Sequence, residues 1–463
     1  MLHEAHTLRP CKNLTGNLSR HFVRLIFFVC GFLLVFSCPA LVQGHDWPTW
    51  RYDAARSAAC PEELPAELHL QWIRQLASPR PAWPASQDRL QFDASYEPIV
   101  AGNTIFVGSM VCDSVTAYDT QTGIEKWRFY TDGPVRFAPV AYKDKLYLAS
   151  DDGCLYCLSA ETGALIRKLR GGPADNKVIG NDRLISTWPA RGGPVLYEGT
   201  IYFAASIWPF MGTFIHAVDA ESGQVLWTNS GSGPTYLMQP HSSPAFAGVA
   251  PQGYLVATDD KLLISGGRSV PAAYDRKTGQ FLYYHLNQYG KIGTCEVMAS
   301  GRYFFNCGAV HALSDGYEVA KAQASVAAGD SFIGGDDDTI TACQLEPGQK
   351  AAKTKTLWRA KLPFEIDRIH LKAGSRLYCS GEDQDGTILA VDIPAGDDAQ
   401  AEVSWQAKVD GKVWNMLAAD GKLFVVTLEG GLYCFAGEKT EPQRHERQKE
   451  SLPDGSPQWK NGA

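Results

Sequence analysis

The 463-residue chain is most informative in what it has little of. It has no surplus of basic charge: 43 Lys and Arg against 50 Asp and Glu leave a net charge of −7, which argues against a nucleic-acid partner. It has no C-x-x-C-H, so a covalently attached haem is not expected. No amphipathic helix longer than a turn or two is found beyond the first 44 residues, which excludes a helical solenoid. Long apolar runs are missing too. The one extended run, Leu25–Phe36, is short for a membrane-spanning helix.

What is there is a repeat. A small residue sits inside the same strand pattern eight times, at Ala117, Cys157, Ala217, Ala273, Ala312, Ala342, Ala390 and Cys434. The intervals run from 30 to 60 residues. In the clearer copies an apolar strand precedes it, as at Ile105–Val107 or Ile201–Phe203, and a turn D-x-x-S/T-G follows, as at Asp119–Gly123, Asp219–Gly223 and Asp275–Gly279. Ten residues past the small position stands a large side chain: Trp127, Arg167, Trp227 or Tyr283. Repeats of this length with several short strands each predict propeller blades. A small residue lets adjacent twisted sheets approach, where a larger one would overpack. The Asp closes the turn on its own backbone, and its Gly supplies positive φ.

The repeat predicts an all-β fold, an eight-bladed β-propeller closed by an N-terminal strand. The last copy, ending at Cys434 and Phe435, is followed by no Trp-bearing outer strand, whereas Leu70-Gln71-Trp72-Ile73 near the start is an outer strand without a blade. Pairing the two fastens the ring and removes an open sheet edge. Residues 45–436 are then the propeller and 437–463 a charged tail without expected structure. Residues 1–44 read as an export signal: Arg20 and Arg24, the apolar run, then Val42-Gln43-Gly44 as a cleavage site. A retained anchor, or lipidation at Cys38, is the alternative, and either is the only expected tie to a membrane. Cleavage would remove four cations and Glu4, moving the charge from −7 to about −10. The expected location is the periplasm or cell envelope.

Twelve cysteines become nine once Cys11, Cys30 and Cys38 are set aside with the leader. Cys154-x-x-Cys157 invites a redox or metal reading. However, Cys157 and Cys434 occupy the slot filled by Ala in other blades, and residues three apart on a strand face opposite ways. Core packing is the expectation.

The repeat A-x-D-x-x-T/S-G-x-x-x-W, with the leading segment D-W-P-T-W-R-Y-D-A-A-R-S (Asp46–Ser57), resembles the pyrroloquinoline-quinone-type (PQQ-like) propeller superfamily over roughly residues 46–436. That resemblance implies one of two branches. Quinoprotein dehydrogenases hold the quinone and calcium at the ring axis. A non-catalytic branch is typified by the propeller lipoprotein of the outer-membrane β-barrel assembly machinery. This chain lacks the adjacent Cys-Cys pair common in the dehydrogenases, and no calcium-ligand set can be carried over. The reading is therefore an exported binding or scaffold module for a protein, peptide or small ligand, with no cofactor expected. A PQQ- and calcium-dependent oxidoreductase acting on an alcohol or sugar is the alternative.

In a propeller, the segments leading into the innermost strands converge at one channel mouth. Aligning the repeats places Arg136, Arg191 and His241 at equivalent positions in three successive blades, a positive sector suited to a small anionic ligand. Equally, these arginines can bond loop carbonyls or pair with acids such as Asp132 and Asp175. Trp188, in the long loop Arg170–Arg191, either stacks on a planar ligand there or plugs the channel.

Overall fold

The structure, a computed structural model, describes residues 45–239, 242–266, 269–286, 293–346, 352–382, 386–394 and 401–446. The leader and its possible anchors, and the tail from residue 447, lie outside the described residues. Eight antiparallel sheets form an eight-bladed propeller. Blades 1 to 7 span residues 99–130, 140–170, 192–229, 256–283, 298–321, 326–361 and 366–408, each ordered from inner to outer strand along the chain. Blade 8 takes three strands from residues 413–436 and its fourth, His69–Gln75, from near the N-terminus. Trp72 lies opposite Cys434 and Ile73 opposite Tyr433, which closes the ring as expected. Order runs past the expected boundary at 436: Gln443–His445 adds a fifth strand, parallel to His69–Gln75.

The eight small positions lie on the third strand of each blade, and seven of them sit across from a large residue of the fourth. Ala117 faces Trp127, Cys157 faces Arg167, Ala217 faces Trp227 and Ala273 faces Tyr283. Ala342 with Trp358 and Ala390 with Trp405 repeat the pairing across longer turns. Ala312 is the exception, because the short outer strand of blade 5 pairs only with Ala309–His311 and leaves it half-buried. Most of these large side chains then reach the next blade. Trp72 Nε1 donates to the Thr120 carbonyl (3.0 Å), Trp127 Nε1 to Ala160 (3.1 Å), Trp227 Nε1 to Arg276 (3.1 Å) and the Tyr283 hydroxyl to Leu313 (3.0 Å). The ring plane lies against the turn glycine. A Cβ on Gly279, where φ is +74°, would come within 2.4 Å of Trp227. The glycine therefore serves both the turn and the junction.

The leading segment His45–Cys60 lies across the lower end of the axis and ties the inner strands together. The Asp420 N–H donates to the His45 carbonyl (3.1 Å), and Trp47 exchanges two bonds with Val100 in blade 1. The N–H groups of Ala141, Ala257, Ala299, Ala327 and Lys372, in blades 2, 4, 5, 6 and 7, donate to the carbonyls of Pro48, Ala54, Ala55, Ser57 and Ala58 at 2.8–3.0 Å. Blade 3 is reached by Arg56, whose Nη2 donates to the Pro194 carbonyl (2.9 Å). Arg51, Tyr52, Arg56 and Ala58 all adopt positive φ, so this coil is tight and is held by its partners.

Candidate functional site

The strand directions put the segments leading into the inner strands at the upper end of the axis, opposite His45–Cys60. The upper end has two unlike halves. Over blades 1–4 it is filled. Trp50 stacks on Tyr254 (centroids 3.9 Å apart), Phe137 meets Tyr254 edge-on (4.9 Å) and Phe92 stacks on Phe137 (4.7 Å). Residues 77–94, with three prolines and Trp83, run over this stack. The Arg136 guanidinium donates to the Arg80 carbonyl (3.1 Å), Trp83 Nε1 to Gln252 Oε1 (3.2 Å) and the Cys295 N–H to the Arg89 carbonyl (3.2 Å).

Arg136 and Arg191 are brought together here, as their positions implied, but through an acid between them. Arg136 Nε is 2.6 Å from Asp151 Oδ2 and its Nη1 2.6 Å from Asp93 Oδ2. Arg191 grips Asp151 with Nε at 3.0 Å and Nη2 at 2.9 Å, and Nη2 also donates to Asn181 Oδ1 at 2.7 Å. All four charged side chains are buried. Burial opposes the charge on Asp151, yet Arg191 and Arg136 bring its pKa down to about 2. On Asp93 burial prevails and pushes the pKa up. The sector is thus paired with acids within the protein, and of these four side chains only Arg191 has a buried polar atom, Nη1, without a partner among the described residues. Asp132 and Asp175 instead take Lys168 (2.7 Å) and Arg170 (2.9 Å).

The other two sequence candidates do not join the pair. Trp188 is buried away from the axis, with Nε1 donating to the Met211 carbonyl (2.7 Å) and its ring edge-on to Phe214. His241 lies outside the described residues. The register that equated it with Arg191 does not hold, because Pro244–Ala247 belongs to an added hairpin with Thr235–Met238. Blade 4 has its inner strand at Val256–Ala257, so Gln252 occupies the position four residues upstream.

Over blades 5–7 the upper end is open, and a cavity of about 520 Å³ lies between Thr294–Met298, Ala322–Ser325 and Ile366–Ile369, floored by Arg51. Sequence reasoning missed it, because Arg51 comes from the axial segment and its neighbours from three blades. Beside it, the buried Glu97 accepts from Trp414 Nε1 (2.7 Å) and from the Asn415 amide. Burial, above all, pushes the Glu97 pKa up to about 8.

A third feature lies on the outer part of the upper face. The hairpin Lys177–Ser186, the turn around Pro209–Met211 and the hairpin Thr235–Ala247 project from blades 2–4. They expose Ile179 (86%), Leu184 (62%), Phe210 (62%), Tyr236 (61%), Met238 (65%) and Phe246 (69%). Among the described residues all nine cysteines are free thiols, and no three His, Cys, Asp or Glu side chains cluster closely enough to hold a metal ion. With the axis filled by aromatic rings over blades 1–4 and no such acid cluster, the described residues do not fit a calcium-bound quinone there.

Known proteins fall in line with this architecture. A tetrathionate hydrolase from Acidithiobacillus ferrooxidans is 29% identical over 189 residues, 40% of this chain and 35% of that protein. The chain thus matches about a third of that relative's length. The quinohemoprotein alcohol dehydrogenase of Comamonas testosteroni superposes with a TM-score of 0.55 at 14% identity, over 86% of this chain and 81% of that one. A europium-containing methanol dehydrogenase gives 0.54 at 14%, over 84% and 98%. At these identities the two structures share the fold alone. The profile described as outer membrane protein assembly factor BamB matches residues 69–313, from the ring-closing strand through the small position of blade 5. That match takes in more than half of the sequence, and the chain belongs to this family of PQQ-like propellers.

Proposed function

We propose that this chain is a binding module that engages a protein partner through the apolar rim of blades 2–4. The observation that carries this reading is the exposure of Ile179, Phe210, Met238 and Phe246 on added hairpins and a turn that no blade requires. Exposed apolar groups gathered on one face mark interaction surfaces in proteins that keep such groups scattered elsewhere. The family description, an assembly factor for outer membrane proteins, supports a protein partner. Export directed by residues 1–44 would place the rim in the periplasm or cell envelope.

The test is site-specific photocrosslinking in the producing cell, with the photoreactive group at residue 179 or 246 and, as a control, at Tyr130 on an outer strand (60% exposed). One adduct of defined mass from both rim positions, absent from residue 130, is expected. The same adducts from all three positions, or none from the rim, would refute the proposal. Turnover of an alcohol or sugar after addition of PQQ and calcium would replace it with the oxidoreductase reading.

A further inference from the structure

The cavity over blades 5–7 has a floor and walls of different character. On the floor, Arg51 spends Nε on the Arg56 carbonyl (3.1 Å) and Nη2 on the Ser325 carbonyl. No carboxylate of the described residues forms an ion pair with it, and its Nη1 has no hydrogen-bond partner among them. On the wall, Arg368 lies over the Trp414 ring (5.2 Å) and makes a loose contact with Glu296 (3.7 Å). The other acid lining the cavity, Asp367, is taken by Lys412 (3.3 Å). Met298, Phe305 and Ile369 supply an apolar side.

Charge can be counted across this site. Glu296 offsets Arg368 and Lys412 offsets Asp367, while Glu97 keeps its proton at neutral pH because burial holds its pKa at about 8. One positive charge remains, on Arg51. Burial lowers the Arg51 pKa, Glu296 offsets part of that, and the like charge of Arg368 lowers it again, so the net shift is downward and a single negative charge placed there would oppose it. A dianion would instead meet Glu296 and Asp367. A cavity of this size suits a small organic molecule.

We propose that this cavity binds a small organic monoanion, a carboxylate carried on an apolar or aromatic body, with Arg51 taking the carboxylate and Met298, Phe305 and Ile369 the body. The site is separate from the apolar rim, so it stands or fails independently of the protein-binding reading.

Benzoate is the probe, titrated calorimetrically into the full chain, with benzyl alcohol and benzylamine as neutral and cationic analogues. Saturable benzoate binding is expected, with both analogues weaker by about tenfold or more, the usual effect of a charge-assisted bond. Cys307 lines the cavity and is exposed, whereas Cys112 lies elsewhere and is half-buried. Benzoate should therefore slow modification of Cys307 by a thiol reagent, followed at peptide level, and leave Cys112 unchanged. Arg51→Met should weaken benzoate about tenfold or more. Because Arg51 also ties down Ser325, the partly exposed Arg368→Gln serves as the second variant, with a several-fold loss expected. The proposal fails if benzoate does not saturate, if benzyl alcohol binds as tightly, if Cys307 is not protected, or if a folded Arg368→Gln chain binds benzoate as well as the parent does.

Discussion

At neutral pH the Glu97 carboxyl holds a proton, because burial pushes its pKa up to about 8 against the pull of Trp414 and Arg368. The unfolded chain releases that proton above the ordinary glutamate value of about 4.3. The folded form therefore binds more protons between the two values, and stability falls as pH rises from about 4.3 to 8. Glu97→Gln removes the titration and keeps an acceptor oxygen for one of the two donors, Trp414 or Asn415. We expect urea midpoints of the variant to decline less than those of the parent over this window, by an amount on the order of a few kcal/mol by the upper end. Parallel profiles would show that Glu97 is ionised in the folded chain. Asp151 works in the opposite sense. Arg191 and Arg136 depress its pKa to about 2, so its contribution is present above the ordinary aspartate value of about 3.9 and disappears as pH falls toward 2. That Arg136 and Arg191 share a site was legible from their equal positions in two repeats. Their partners were not, because Asp151 stands in a turn within blade 2 and Asp93 in the segment before blade 1, neither at a position that the repeat marks.

Between elements, the unit of cohesion is a triad of small residue, large ring and turn glycine shared by two blades. Ala217 shows its tolerance. It is fully buried opposite Trp227, so Ala217→Leu should overpack the junction and cost about 1–3 kcal/mol in thermal or urea unfolding. By contrast, Cys434→Ala should be nearly neutral, since Ala fills that slot in six other blades. A large loss there would reveal a role for the Cys434 thiol beyond its weak contact with the Thr120 carbonyl (3.8 Å). This level of the fold was legible because each blade repeats the same physical problem and solves it with the same residues. Blade 5 was less legible, since its outer strand carries no large ring to mark it. The strand at Gln443–His445 was missed because its sequence is polar and its place is a sheet edge. The hairpins that carry the apolar rim have no counterpart in the repeat; the long intervals from Cys157 to Ala217 and from Ala217 to Ala273 marked the insertions but not their fold.

At the scale of the whole molecule, both ends of the propeller meet in blade 8, and His45–Cys60 bonds to all eight inner sheets or the turns that follow them. The D-W-P-T-W-R-Y-D segment could be read from sequence only as a resemblance; its role depends on partners spread over more than 300 residues of chain, from Val100 to Asp420. Deleting residues 45–60 while keeping the closing strand should strip hydrogen bonds from the inner strand ends and expose the aromatic axis. We expect a lowered urea midpoint and a broader transition than in the parent. A truncated chain that unfolds at the parent's midpoint would mean that the ring holds itself together without its hub.

The same hub also acts as a gauge. Where they occur, at Gly123, Gly163, Gly279 and Gly316, the ring-to-glycine junctions are alike, so nothing in such a junction limits how many can follow one another. The axial coil is different, because its carbonyls meet the N–H groups of seven blades and the Arg56 side chain meets the eighth, blade 3. A ring with one blade fewer would leave a carbonyl facing no N–H, and one with a blade more would leave an inner strand unmet. Blade number in this protein is therefore measured by a short peptide at the centre, whereas the repeats at the circumference set only how each blade fits the next.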